Sequence, residues 1–470
     1  MKKSIRILLF ILGSGVLAYY QFFVPSFSGD EIALGSNLKI KSILELFYPL
    51  DTFQSAPPLY LFIQKIFLIV LPMPFWINIK VLSYLVGVLI LWFAIRIAAN
   101  KYSDWGYLSY LWIVLFISNP YVLHNVLTVK QYGFDLLGML ILFSEFDRIN
   151  EGKRGALFFG MWTLFSNVGL FVTAAFLIYV FVKQVKESGN FLGSILICIR
   201  QYAYLLLGPF VYVIYFIWFM QQQGAVELQE YMKEYWHWGF FPMNSGILGF
   251  GFVFLRLLGI YFFTSYLWIV YPSLIIVIVG LVYWLKNKVY KRQEFMIVAL
   301  LGMSIHLAMS FLHLYPLADR LYLYWIPVFY WFFILGITKI SKHKLVLGSV
   351  ALLFIGTNCI NLPFKANDVA GVYRFLRNEG ITAFYTSPKA EEEMGYFNSF
   401  TDFYFKGSLQ HQTIVGSSLK SGTYFVSQVN PWYGHNNETA PEQVEVLKLI
   451  ATKKIEILYR VDGYNIYRFL

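Results

Sequence analysis

The sequence predicts an α-helical polytopic membrane protein with a small C-terminal α/β domain, and three observations carry that prediction. First, 58% of the 470 residues are hydrophobic, 20% aromatic and only 13% charged, with a mean hydropathy of +0.59. A soluble globular chain carries about a quarter charged residues, so most of this one belongs in lipid. Second, the basic residues cluster between apolar runs: Lys2, Lys3, Arg6; Arg96, Lys101; Arg148, Lys153, Arg154; Lys183, Lys186; Lys286, Lys288, Lys291, Arg292; and Lys339, Lys342, Lys344. That is the positive-inside pattern, and it assigns these connections to the cytoplasm. Third, the composition changes abruptly after residue 361, where alternating short polar and apolar segments replace the long apolar runs.

The net charge of +11 does not point to nucleic acid. Residues 362–470 contain eleven Lys/Arg and eleven Asp/Glu, so the whole excess lies in the membrane part, where the positive-inside pattern accounts for it. Both cysteines, Cys198 and Cys359, lie in apolar runs, so neither a disulfide framework nor a cysteine metal site is indicated. The N-terminal apolar run is too long for a signal-peptide core and lacks a small-residue cleavage site, which reads as a retained helix.

Spans are expected near 5–24, 75–98, 105–119, 126–146, 155–167, 169–183, 198–220, 266–285, 294–313, 321–338 and 344–361, eleven in all. Two further apolar segments, 57–72 with Lys65 in its middle and 246–263 interrupted by Arg256, are read as helices lying in the outer interface, which keeps the basic connections inside. The exterior then holds residues 25–74, a turn at "NPYVLHN", residues 221–265, the short "HLYPLADR" and the domain 362–470. In that domain helices are expected over 368–380, 389–398 and 441–453, with strands over 381–387, 422–429, 455–461 and 464–469, the last two as a terminal pair.

Few polar residues stand where chemistry needs them. In "SFSGDEIALGS" Asp30 and Glu31 follow the first span. Ser28 and Glu31 fit the S-x-x-E capping box, or Asp30 is itself the N-cap; the functional reading makes Asp30 a general base at the outer surface with Glu31 helping to place substrate. In "VKQYGFD" Lys130 lies near the outer end of its helix, where it can snorkel, whereas Asp135 lies deeper and requires a partner or a cavity. Arg320 opens a span on the exterior side beside Tyr322, Tyr324 and Trp325, as an interface anchor or as a phosphate-gripping group. The seven histidines show no metal-ligand spacing, and no Gly-rich phosphate loop occurs in the short cytoplasmic connections.

Taken in order, "SGDE", "QSAPPLYLFIQK", "VKQYGFD" and "DRLYLYWIP" resemble the GT-C membrane glycosyltransferases, and more closely the branch containing protein O-mannosyltransferases and lipid A aminoarabinose transferases. The resemblance covers about residues 1–340, so residues 1–361 are read as a GT-C-like transmembrane domain and 362–470 as an exterior domain. It implies an inverting transfer of a sugar from a polyprenyl-phosphate donor to an acceptor hydroxyl on a protein, lipid or glycan, at the outer face of the inner (plasma) membrane. Asp30 would take the acceptor proton; Lys130 and Arg320 would meet the lipid phosphate; Tyr132 and Asp135 match family positions on their helix, Asp135 orienting the sugar or a cation. The sequence calls for no cofactor and assigns no metal ligands, though the resemblance leaves room for a divalent cation. Many relatives carry Lys or His directly before the Pro-Pro pair, whereas here Ala56 stands there, so that phosphate contact passes to Gln54 or Lys65 or is lost. The rival readings are a lipid or solute transporter or flippase, against which the lack of an internal repeat counts, and a non-catalytic membrane sensor or scaffold.

Overall fold

The computed structural model describes residues 3–23, 29–51, 54–100, 108–151, 153–240, 247–264, 266–317, 319–340, 344–360, 369–381, 383–386, 410–413, 424–428, 455–461 and 464–470. Up to residue 360 every described element is helical: α1 (Lys3–Ala18), α2 (Gly29–Ile40), α3 (Pro58–Val70), α4 (Phe75–Asn100), α5 (Leu108–Ser118), α6 (Pro120–Leu127), α7 (Tyr132–Glu151), α8 (Lys153–Met161), α9 (Gly169–Ser188), α10 (Phe191–Met220), α11 (Ala225–Tyr235), α12 (Ile247–Phe262), α13 (Leu267–Lys286), α14 (Glu294–Phe311), α15 (Ile326–Ile340) and α16 (Lys344–Ile360). A last helix, α17 (Val369–Asn378), precedes five strands, β1 (Ala383–Thr386), β2 (Gln410–Thr413), β3 (Tyr424–Gln428), β4 (Ile455–Val461) and β5 (Tyr464–Phe469).

Among the described residues seven stretches are long and apolar enough to cross a membrane, and the pair α5 and α6, bent by 59°, would make an eighth. The protein is a polytopic membrane protein, and among the described residues such stretches are fewer than the eleven expected. The region expected to span at 155–167 is the nine-residue α8 followed by a 3-10 turn at Trp162–Leu164. Helix α16 has 17 residues, Lys344–Ile360, at the lower end of the length that crosses a membrane. The helix expected at 126–146 starts at Tyr132 and carries Glu145, Asp147 and Arg148 towards its end. At about 1.5 Å per residue, the 13 residues of α3 and the 16 of α12 fall short of a hydrocarbon core about 30 Å thick.

"NPYVLHN", expected as a turn, is mostly helix. Pro120 restricts Asn119 to extended backbone, which breaks α5 from α6, and it occupies the first helical position, where no N–H is needed. Asn119 caps α6 by accepting from Val122 N at 3.1 Å, while its Nδ2 donates to Phe262 O at 2.6 Å. The Tyr330 hydroxyl donates to that same carbonyl at 2.7 Å. One asparagine thus starts α6 and satisfies a carbonyl at the end of α12 that its own helix leaves open.

The larger compact unit comprises residues 1–18, 43–66 and 81–362. Its interior is aromatic: Trp112, Trp331 and Tyr330 are buried, with edge-on contacts of Trp331 to Trp112 at 6.2 Å and to Phe295 at 5.0 Å. Apolar helices gain little from mutual hydrophobicity in lipid, so close backbone approach does the packing. A Cβ on Gly280 of α13 would stand 1.9 Å from Phe332 O of α15, and one on Gly208 of α10 would stand 1.9 Å from Gly160 O of α8. Neither carbonyl can yield without moving its helix. Gly208→Val is therefore expected to cost at least about 1–3 kcal/mol from overpacking, lowering monodisperse yield and melting temperature in detergent, while Gly15→Val, with no heavy atom within 4 Å, leaves both unchanged.

The smaller unit comprises residues 19–42, 67–80 and 363–470. In it α17 buries Val372, Tyr373 and Leu376, and Gly380, at φ 66°, takes the left-handed conformation that ends a helix where the sequence expected it. The sheet order is β2-β1-β3-β5-β4, with β1 parallel to β2 and β3, and β5 antiparallel to β3 and β4. The expected strands at 381–387, 422–429, 455–461 and 464–469 are β1, β3, β4 and β5, the last two as a hairpin. Strand β2, "QHQT", was not expected, since it lacks apolar alternation. The helices expected over 389–398 and 441–453 lie outside the described residues.

Candidate active site

Lys130 sits in the four-residue connection between α6 and α7, and that connection is pinned. The Thr128 hydroxyl donates to His124 O at 2.7 Å, the Ser83 hydroxyl donates to Thr128 O at 2.9 Å, and Lys130 N donates to Thr128 O at 2.7 Å. The consequence is that Lys130 is buried, with 6% exposure, and does not snorkel. Its ammonium donates to Gln54 Oε1. Gln54 in turn belongs to the wall of a cavity of about 80 Å³, together with Ala56, Pro57 and Pro58 and with Tyr212, Tyr215 and Phe216 of α10. Polar atoms on that wall are engaged: Tyr212 donates to Asn167 Oδ1 at 2.9 Å and Tyr215 to Phe47 O at 3.2 Å. Phe216 is 46% exposed and has exposed Phe210, Ile214 and Ile217 around it, so the α10 wall extends onto an outward apolar surface.

Two residues beyond Lys130, Tyr132 presents its ring to Arg320. The guanidinium carbon lies 5.1 Å from the Tyr132 ring centroid and 5.6 Å from that of Trp236, which follows α11. Stacking between two rings orients the planar guanidinium and leaves its edge to make directional contacts. Arg320 lies on the 3-10 segment Asp319–Trp325, and one imidazole holds the chain on both sides of it. Buried His306 of α14 places Nε2 2.9 Å from Pro316 O and Nδ1 3.1 Å from the Tyr324 hydroxyl. With Nε2 facing a carbonyl, the neutral ring donates there and accepts from Tyr324 at Nδ1.

Asp135, one turn into α7, is 2% exposed. Ser166 donates to its Oδ1 at 2.5 Å, and Gly169 N at the start of α9 donates to Ser166 Oγ at 3.1 Å. Among the described residues Asp135 forms no ion pair. Ser166 lies in the turn before α9, so the bond ties Asp135 of α7 to that turn.

Asp30 and Glu31 lie in the first turn of α2, where the helix dipole favours anions. The two carboxylates have different surroundings. Asp30 is half-buried, whereas Glu31 is buried and near enough to buried Lys80 to act on its charge. Lys80 also has its carbonyl held by Gln21 Nε2 at 3.0 Å. The capping-box partner Ser28 lies outside the described residues. Lys65, half-buried on α3, has its pKa lowered by burial, with the Glu45 charge opposing. Arg256 is exposed on α12.

Within the larger unit, then, the pairs Gln54–Lys130, Tyr132–Arg320 and Asp135–Ser166 succeed one another along residues 130–135. Sequence reasoning missed Trp236, Ser166, Asn167 and His306. The pair "SN" between two apolar runs was the available signal for Ser166 and Asn167, and none marked Trp236 as a partner of Arg320 or His306 as the residue that holds the chain on either side of it. Among the described residues no three His, Cys, Asp or Glu side chains come together as a metal ion would need.

No family model matches the chain and no curated protein matches it. Among solved structures it is similar to ArnT from Cupriavidus metallidurans bound to undecaprenyl phosphate, at 10% sequence identity and a TM-score of 0.46, covering 99% of this chain and 98% of that one.

Proposed function

We propose that this protein is an inverting glycosyltransferase that moves a sugar from a polyprenyl-phosphate donor to an acceptor hydroxyl at the outer face of the cytoplasmic membrane. The observation that carries the reading is Lys130, a buried cation held by Gln54, which itself lies on the wall of a cavity whose other side is apolar helix surface. A ligand suited to such a place has an anionic head and an apolar tail, which describes a lipid phosphate. Arg320, oriented by Tyr132 and Trp236, is the second cation assigned to that head.

In the proposed reaction the acceptor oxygen attacks the anomeric carbon as the bond from that carbon to the phosphate oxygen breaks, so one displacement inverts the configuration. Asp30 takes the acceptor proton and Glu31, through its influence on Lys80, holds the start of the helix that carries Asp30. Negative charge grows on the leaving phosphate, where Lys130 and Arg320 stabilise it in surroundings that screen less than water. Asp135, oriented by Ser166, is assigned to the sugar side, and Gln54 to positioning Lys130. Lys65 is the remaining cation on the segment after the Pro-Pro pair. The acceptor is a hydroxyl of a protein, lipid or glycan.

The test presents the purified protein in nanodiscs with short-chain polyprenyl phosphates bearing different sugars and follows release of polyprenyl phosphate. Release from at least one donor, by transfer or slow hydrolysis, is expected. No release from any donor, with or without divalent metal and added acceptors, would overturn the proposal and turn the reading toward transport.

A further inference from the structure

The turn between α13 and α14 carries Lys286, Lys288, Lys291 and Arg292 within seven residues, all four exposed. Among the described residues no carboxylate pairs with any of them, and the nearest acid in sequence, Glu294, is engaged by Lys183 of α9 at 3.1 Å. A fifth cation joins from α15, where the Lys339 ammonium stands 3.8 Å from the Tyr283 ring centroid on α13.

This turn is built rather than loose. Gln293 Oε1 accepts two indole N–H groups, from Trp284 of α13 at 3.0 Å and from Trp331 of α15 at 3.1 Å, so one amide ties the end of α13 and the start of α14 to α15. Tyr290 packs edge-on against Trp284 at 5.7 Å. Lys288 holds left-handed backbone at φ 54°, ψ 30°, which a lysine adopts only where its surroundings impose it. Above the turn, Ile275, Ile278, Val282 and Leu285 are exposed along α13, an apolar track that leads to the cations.

We propose that this turn is a binding site for an anionic phospholipid, its phosphodiester head on the basic turn and its acyl chains along the α13 track. The inference does not depend on the transferase reading. A cluster of four or more Lys/Arg at the end of a membrane helix attracts anionic headgroups. The apolar track selects a lipid over a free anion, and the pinned backbone makes the array a fixed one.

The test is native mass spectrometry of the intact protein titrated with phosphatidylglycerol or phosphatidylcholine in detergent. Wild type is expected to retain phosphatidylglycerol at least about tenfold better. A variant combining Lys286→Gln, Lys288→Gln, Lys291→Gln and Arg292→Gln should lose that preference, and the corresponding lysine-to-arginine variant should keep it. Should the quadruple variant not elute as folded protein, Lys286→Gln/Lys288→Gln and Lys291→Gln/Arg292→Gln tested separately should each lose part of it. Equal retention of both lipids by wild type, an unchanged preference in the glutamine variants, or full competition by chain-free glycerophosphoglycerol would overturn the proposal.

Discussion

Asp30→Asn is expected to lower polyprenyl-phosphate release by about 10²–10⁴-fold, the range that a positioned general base contributes, while the protein stays folded. The structural cost is small because asparagine keeps the shape and an acceptor oxygen in the first turn of α2. The attraction of the carboxylate to the helix N-terminus goes, about 0.3–1 kcal/mol. Glu31 supplies the contrast. It is buried and its charge acts on buried Lys80, so Glu31→Gln should lower the melting temperature first and activity as a consequence. A matched loss of rate and stability in Asp30→Asn would assign it to capping, as would unchanged release. A rate loss at constant melting temperature is the result expected of a base.

The two carboxylates show what could be read from the chain and what could not. Their adjacency after an apolar run was legible, and so was their place at the start of a helix, because capping patterns are local. That the charge of Glu31 acts on a lysine 49 positions away was not, since Lys80 lies inside an apolar run and reads as part of a span. The same division runs through the fold. Gly380 marked the end of α17 and period-two alternation marked β3, β4 and β5, whereas β2, "QHQT", has no such pattern and owes its conformation to pairing with β1. Among the described residues fewer stretches than eleven are long and apolar enough to cross, and the sequence could not separate the two kinds, because a short apolar run looks alike whether it crosses lipid or packs against other helices. The nine residues of α8, which meet α10 backbone to backbone at Gly160 and Gly208, are too few to cross.

Lys130 is the site residue whose reading changed most. A lysine near a helix end can send its ammonium to water, and nothing local in "VKQYGFD" opposes that. What opposes it is the pinning of Thr128 by Ser83 and His124, together with α6, which turns the chain through 59° so that the connector is enclosed. His306 acts comparably on Arg320 from a helix 14 positions earlier in sequence, through Pro316 and Tyr324. In both cases the cation was legible and the device that orients it was tertiary.

Lys130→Met should therefore cost the reaction about 10²–10³-fold, the effect of losing one group that stabilises developing charge. Methionine keeps the length and flexibility of the stem and places a thioether where the ammonium was, so the buried site loses a charge without gaining a cavity, and the melting temperature should not fall. Gln54 separates positioning from direct contact. If its amide serves to hold the ammonium, Gln54→Leu alone should slow release less than Lys130→Met does, and the double variant should be no slower than Lys130→Met. The coupling between two touching residues of this kind is on the order of 0.5–3 kcal/mol, large enough to resolve from rates. Strictly additive effects would mean that Gln54 contacts the donor in its own right, as the residue three positions before Pro57. An unchanged rate in Lys130→Met, with donor release intact in wild type, would remove Lys130 from the phosphate and leave Arg320 as its partner. The decisive readout is the split between donor KM and kcat. A cation that meets the phosphate equally before and during bond breaking raises KM alone, whereas one that meets the charge as it grows lowers kcat.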